Sequence, residues 1–278
     1  MNINLNPKIP HTRRSALPGG AFTLIELLVV AAMIALGALM LVPALARTGN
    51  NSPTLSCLNN LAQLQRAFSM YATDCNGQLV GNASVATGNQ ISWCYGWLDW
   101  STAPDNTNIA YLVSALLGPY TGKRTATYKC PADRVPAAIG PRVRSYSMNG
   151  FVGGTIESQY FSYTGYRAYL KDSDFTSPGP AKTFVFIDEH PDSINDPVLE
   201  ASMPAVSLWP AAAAWTDVPA SYHVGAGCLS FADGHVEAHR WVDANTRAPV
   251  LKTSSPPTIG TTSPNDSAWL VARTSAPL

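Results

Sequence analysis

The chain has 278 residues, of which 13% are charged and 46% hydrophobic, with 18 Lys and Arg balanced by 18 Asp and Glu. A formal net charge of zero excludes the basic footprint of a nucleic-acid-binding protein, and the apolar content excludes global disorder. The 20 glycines and 22 prolines promise long loops, in a chain long enough for one large domain or two small ones.

Residues 1–21 carry Lys8, Arg13 and Arg14 and no acid. Taking those three from the 18 basic residues leaves 15 against 18 acidic ones, a net charge of −3. A basic, Pro-containing start ahead of an apolar run has the form of a targeting leader, and its charge holds it on the cytoplasmic side of a membrane. From Phe22 to Ala46 the only charged residue is Glu26. As a helix, residues 22–42 span about 31 Å, enough for a bilayer core of roughly 30 Å. The expectation is a membrane helix over 22–46. A secretory signal would have a shorter core of about 7–15 residues, with small residues after it. Here Gly19, Gly20 and Ala21 come before the run, so a cut there removes the leader and keeps the helix.

Glu26 needs a reason. A carboxylate in hydrocarbon costs about 2.5–3.5 kcal/mol, so it requires a partner. A cut after Ala21 frees a cationic amine on Phe22. In lipid, Glu26 reaches the amine of a neighbouring copy more readily than that of its own helix. Two such buried half-charges set the register of an assembly. The stretch AFTLIELLVV, residues 21–30, resembles the N-terminal methylation motif of type IV pilins and type II secretion pseudopilins. The resemblance implies cleavage by a prepilin peptidase between Ala21 and Phe22, N-methylation of Phe22, and Glu26 as the assembly carboxylate. Pro43 falls where many pilins have a helix-kinking proline. The family usually has Gly directly before the cut; here Ala21 stands there, with Gly20 one earlier, and Ala is small enough for processing.

The resemblance also implies an architecture and a location. The fold expected is α+β and pilin-like: a long N-terminal helix, transmembrane and then amphipathic, packed on an antiparallel β-sheet with long loops. The protein would be single-pass in a bacterial inner membrane, N-terminus cytoplasmic, with a periplasmic or extracellular head over residues 54–252. Its partners would be the prepilin peptidase, other pilin or pseudopilin subunits, and the inner-membrane platform that assembles a pseudopilus or pilus.

After a polar break at 48–54, Leu61, Leu64, Phe68 and Tyr71 recur at helical spacing. Asn59, Gln63, Gln65 and Arg66 fall mostly off that stripe, which predicts an amphipathic helix over about 54–73 packing on a sheet. DCNG, residues 74–77, ends it with a glycine suited to a left-handed turn; Asp-x-Asn-Gly also resembles the start of a calcium loop, but the Glu such a loop needs does not follow. In ISWCYGWLDW, residues 91–100, alternation puts Trp93, Tyr95 and Trp97 on one face of a strand, either core-facing or a platform for sugar rings. Strands are expected at 125–135, 143–150 and 182–190, the last a buried central one through Phe184, Val185, Phe186 and Ile187. CLSFADGHVEAHRW, residues 228–241, predicts a hairpin with Asp233-Gly234 as a two-residue type I′ turn. The Pro/Ser/Thr-rich tail, 253–278, reads as extended or mobile.

Several islands carry the resemblance into the head: Cys57 to Leu61, Tyr71…Asp74…Gly77, Cys130-Pro131-Ala132-Asp133, residues 145–149, and His223, nine residues, then Asp233-Gly234. They are similar to the large pilin-like families of planctomycete and verrucomicrobial bacteria. All five cysteines, Cys57, Cys75, Cys94, Cys130 and Cys228, follow the membrane run and face the oxidising side; any four allow three connectivities. Because Cys57 and Cys130 both sit in family-like motifs, the resemblance points to that pair as a disulfide.

Chemistry has two candidate clusters. On a strand, His235, Glu237 and His239 share a face, with the donor types zinc takes, while His223 is placed to hydrogen-bond the turn held by Asp233. Asp188, Glu189, Asp192 and Asp196 offer the hard oxygens that calcium takes, and pseudopilin heads as a family bind calcium in a C-terminal loop. No Gly-x-Ser-x-Gly, P-loop, dinucleotide fingerprint or His-Glu-x-x-His is present, so no enzyme activity is expected. The expected function is assembly as a pilin or pseudopilin subunit. The alternative is a membrane-anchored module that uses the pilin signal for delivery and binds an envelope component or polysaccharide through its aromatic segment.

Overall fold

The computed structural model describes residues 24–83, 92–153, 165–211, 215–253 and 263–278, leaving aside the side chains of 35–52. The leader and the cleavage-site residues Gly20, Ala21 and Phe22 lie outside that set. The chain divides into two compact units, Met1–Asn50 and Asn51–Leu278.

Helix α1 runs from Leu24 to Asp74. In the first unit its residues 24–34 are all exposed, among them Leu24, Ile25, Leu27, Leu28, Met33 and Ile34. Among the described residues no helix is long and apolar enough to cross a membrane; most of the span expected over 22–46 has its side chains outside them.

The second unit is mixed α+β. Its five-stranded sheet contains β1 (Tyr146–Asn149), β2 (Phe184–Asp188), β3 (Val198–Leu199), β4 (Ala226–Phe231) and β5 (Val236–Arg240) in the spatial order β3-β1-β2-β4-β5. β1, β2, β4 and β5 pair antiparallel, as expected, but the two-residue edge strand β3 runs parallel to β1. β2 is central and buried along its whole length. The register shift between Phe184 and Phe186 is a β-bulge that decides which side chains meet α1. Val185 and Phe186 both fall in the core cluster on the α1 side, while Phe184 and Ile187 face the opposite core. A bulge adds one residue and resets the alternation beyond it; in consequence Asp188 points to the α1 side.

The stripe on α1 packs as its spacing predicts. Leu61, Leu64 and Phe68 are buried, with Cys57, Ala67 and Ala72 beside them, and Phe68 meets Phe186 edge-on. Gln65 departs from expectation: it is buried because its Oε1 accepts a hydrogen bond from Ser230 Oγ at 2.9 Å. Asn76 and Gly77 both take positive φ at the end of α1, and a β-carbon on Gly77 would lie 2.8 Å from Asp172 Oδ1. That turn ends the helix, as DCNG suggested.

Three local expectations are corrected. Residues 125–128 form a single 3-10 turn rather than a strand, pinned by Asn60 of α1, whose Nδ2 donates to the carbonyls of Ala126 and Lys129. Residues 92–100 contain no strand. Trp93 is fully buried, stacked with Tyr128 and edge-on to Phe186, and Tyr95 is buried in the same core, whereas Trp97 is half exposed and does not share their side. The tail is not extended throughout: α3, Pro264–Thr274, buries Leu270 and Val271. The serines and threonines around it hid a helix with Pro at its first turn and Asp266 there to accept from the Val242 and Asp243 amides. Between α1 and α3 a short helix, α2, spans Ala110–Val113.

Candidate metal centre

On the α1 side of the sheet four buried side chains converge: Cys57 of α1, Cys130 after the 3-10 turn, Asp188 at the end of β2, and His223 just before β4. One ligand-type atom from each lies within 4.8 Å of all the others. His223 Nε2 is 3.3 Å from Asp188 Oδ2 and 3.3 Å from Cys130 Sγ, and Cys57 Sγ is 3.8 Å from Asp188 Oδ2. Among the described residues no other group of three or more such side chains forms a comparable cluster.

Each member is placed by the fold. Cys57 is one helical turn before Leu61 on the buried stripe of α1. Asp188 reaches the cluster because of the bulge in β2. His223 stands beside a turn in which Val224 and Gly225 both have positive φ. Gly227 lets β4 pass close by: a β-carbon there would meet Ala220 O at 2.9 Å and Asp188 Oδ1 at 3.0 Å. A surrounding set of hydrogen bonds orients the four. The Cys228 amide donates to Asp188 Oδ1 at 2.9 Å, which leaves Oδ2 aimed inward. His223 Nδ1 is 3.2 Å from Thr54 Oγ1, and the Tyr146 hydroxyl donates to Cys57 Sγ at 3.2 Å.

The electrostatics of the protein alone follow from burial. Burial pushes the Cys57 thiol far up, and contact with Cys57 together with burial does the same to Cys130. Burial raises the Asp188 carboxyl, against the opposing contacts with His223 and the Cys228 amide. Burial by itself would lower the His223 imidazole, but Asp188 and Cys130 outweigh it and hold its pKa up at about 10. Burial thus favours the protonated form of both thiols, beside the contact between His223 and Asp188.

This arrangement is not that of a nucleophile, base and orienting acid. In such a relay the acid and the nucleophile hydrogen-bond opposite nitrogens of the imidazole; here Asp188 and Cys130 both face Nε2, and Nδ1 faces Thr54. Both thiols are also fully buried.

The residues predicted from sequence fall in several places. Cys57 and Cys130 do come together, but all five cysteines are free thiols and these two share a site with Asp188 and His223 rather than a disulfide. The four acids proposed for calcium do not converge. Asp188 faces the cluster, while Glu189 accepts from Ser147 and Ser193. Asp192 accepts from the Leu251 and Thr253 amides, and Asp196 from that of Val198. Successive residues of a strand point to opposite faces, which separates Asp188 from Glu189. His235 stacks on Phe231 and contacts Asp233, whereas His239 stacks on Trp269, so the β5 histidines form no common ligand set with Glu237.

His223 does not bond the Asp233 turn. β4 separates them, and six strand residues span about 20 Å, so the nine-residue spacing records a strand with a site at one end and a turn at the other. That turn also differs from expectation. The Gly234 amide donates to Phe231 O and the Phe231 amide to His235 O, while Gly234 but not Asp233 has positive φ. This is a three-residue loop with glycine in the left-handed position rather than a type I′ turn, which needs positive φ at both central residues.

In the aromatic segment Trp97 and Trp100 line a cleft of about 130 Å³, and Trp100 is covered by the Arg142 guanidinium at 4.2 Å. That volume is below the roughly 300 Å³ at which ligand pockets begin. Sequence reasoning had singled out Cys57, Cys130, Asp188 and His223 for three separate reasons and missed that they form one set. No family model, curated protein or solved structure matches the chain.

Proposed function

We propose that this chain is a membrane-anchored pilin-like subunit, freed of its basic leader by a prepilin peptidase and assembled with other pilin or pseudopilin subunits into a type II secretion pseudopilus or type IV pilus-like filament. The observation that carries this reading is the start of α1. Eight large apolar side chains, Leu24, Ile25, Leu27, Leu28, Val29, Val30, Met33 and Ile34, are exposed there, and they surround the helix instead of forming a stripe. A helix apolar all round belongs in lipid or in a bundle of like helices. Glu26 sits among them, one turn from the expected new N-terminus at Phe22. In this reading it pairs with the Phe22 amine of the next subunit, and the pairing sets the helical register. The packing of the second half of α1 against the sheet of a mixed α+β head supports this reading, in which the chain works by polymerising rather than by turnover.

The test is Glu26→Ala in the native host. The expected result is unchanged membrane insertion with filament incorporation reduced about tenfold or more, since the variant loses a pairing worth the roughly 2.5–3.5 kcal/mol that a lone carboxylate costs in lipid. Incorporation at the unaltered level would count against this mechanism.

A further inference from the structure

We infer that Cys57, Cys130, Asp188 and His223 bind a structural zinc ion that fastens α1 to the sheet of the head. The argument begins with shape. Ligand atoms about 2.0–2.3 Å from zinc, at tetrahedral angles, stand roughly 3.3–3.8 Å apart. The distances in the cluster are 3.3 Å from nitrogen to oxygen, 3.3 Å from nitrogen to sulfur and 3.8 Å from sulfur to oxygen. Those match three of the six edges of such a tetrahedron, and the other three are no longer than 4.8 Å.

Hydrogen bonding alone accounts poorly for the same geometry. Nε2 carries at most one hydrogen whether the ring is neutral or charged, yet it meets a carboxylate oxygen and a sulfur, both at 3.3 Å, longer than the about 2.7–2.9 Å of a charge-assisted bond. A lone pair directed at a metal between them satisfies all three atoms. The outer contacts match those of ligated side chains, whose second polar atoms are normally held in place. With Nε2 on the metal, Nδ1 carries the hydrogen and donates to Thr54 Oγ1. Asp188 gives Oδ2 inward while Oδ1 holds the Cys228 amide, and the Tyr146 hydroxyl supports the Cys57 sulfur.

Donor chemistry selects the ion. Two sulfurs, one imidazole and one carboxylate suit zinc and not calcium, which takes oxygen only. All four positions are filled by protein and all four residues are buried, the closed form of a structural site rather than the open form of a catalytic one. Charge points the same way. Zinc takes cysteine as thiolate and histidine as neutral imidazole, so the bound ion neutralises sulfurs and a carboxylate that burial would otherwise penalise. Elements distant in sequence meet at the site, 57 against 130, 188 and 223, so the ion would cross-link the first head-packed turns of α1 to β2, the approach to β4 and the loop after the 3-10 turn. The same ligation keeps two adjacent thiols from oxidising on the outer face of a membrane. It does not depend on whether the subunit enters a filament.

The experiment uses the full-length chain purified in detergent without chelator. Elemental analysis is expected to give one zinc per chain for the wild type and for Cys75→Ser, whose thiol lies at the far end of α1. It is expected to fall about tenfold or more in Cys130→Ser and in His223→Gln. Replacement of the metal by Co²⁺ in the wild type provides a readout that no folding defect can mimic: thiolate-to-cobalt bands in the near ultraviolet with intense visible bands of tetrahedral cobalt. A wild-type chain free of metal whose digest yields a bridged Cys57–Cys130 peptide would overturn the inference. So would bound zinc that gives no thiolate-to-cobalt band after exchange, or zinc content unchanged in both ligand variants.

Discussion

The two faces of the head's sheet solve the same burial problem in different ways. Away from α1, the apolar core is Phe184, Ile187, Leu199, Leu229, Phe231, Trp241 and Leu270, closed by α3 and stabilised by apolar area removed from water and ring packing; Glu189 and Asp266 are buried beyond it, each held by hydroxyl or amide donors. The α1 face has an apolar centre too, in Leu61, Leu64, Phe68, Trp93 and Phe186, but it also buries Gln65, Ser230, Asp188 and His223 and four thiols. Burying such groups costs free energy unless each is partnered. What sets the α1 face apart is convergence: among the described residues its buried thiols, carboxylate and imidazole meet at one four-residue site, whereas Glu189 and Asp266 are each held singly by hydroxyl or amide donors. The difference separates the part of the core that holds the head together from the part that holds a ligand set.

The largest effects should be common to both faces. Phe186→Ala and Trp241→Ala are each expected to cost about 3–5 kcal/mol in denaturant unfolding. A cost below about 1 kcal/mol on the α3 side would mean that face is not a closed core. Next comes the contrast itself. Chelation should lower the stability of the wild type, and zinc restored at about a hundred times its Kd should return about 2.7 kcal/mol. His223→Gln should lose that response, while Leu270→Ala, on the other face, should keep it in full. A smaller effect tests the polar pair on the α1 side. Ser230→Ala leaves the Gln65 carbonyl and the Phe186 amide without the hydroxyl that serves both and should cost about 1–3 kcal/mol, whereas Gln65→Leu combined with Ser230→Ala should recover only part of that loss.

The smallest effect is on pH. Burial, aided by Arg273 and opposed by Asp266, lowers the His239 pKa from its ordinary 6.5. The unfolded chain therefore takes up a proton first as pH falls below 6.5, and stability declines from there toward the folded pKa. His239 is only half buried, so screening reduces the effect to a fraction of about 1 kcal/mol. His239→Phe should flatten the melting temperature between neutral and mildly acidic pH by that amount, and an unaltered slope would rule out His239 as its source.

Much of the head was legible because local signals matched global packing. The stripe through Leu61, Leu64 and Phe68, the apolar run of β2 and the paired strands at 226–240 all became what their spacing predicts. The failures have physical causes. Trp93 and Trp97 alternate, but a loop with Gly96 at φ +99° does not keep a pleat. The tail's composition concealed α3 because ten ordinary helical residues after Pro264 suffice once Leu270 and Val271 find a core. The site itself was invisible as a unit. Its members lie in four separate segments, and the bulge at 184–186 that turns Asp188 toward α1 leaves no mark in the sequence. What the sequence did signal was each member singly: two cysteines and a histidine in family-like islands, and an acid at the end of the strongest strand.

The account of the whole chain rests on how its N-terminus is made. The mass of the mature N-terminal peptide from native membranes tests this most directly. The account predicts a chain that begins at N-methylated Phe22 and retains Glu26. A chain that begins beyond residue 46 would contradict it, since both Glu26 and the apolar start of α1 would then be gone from the mature protein.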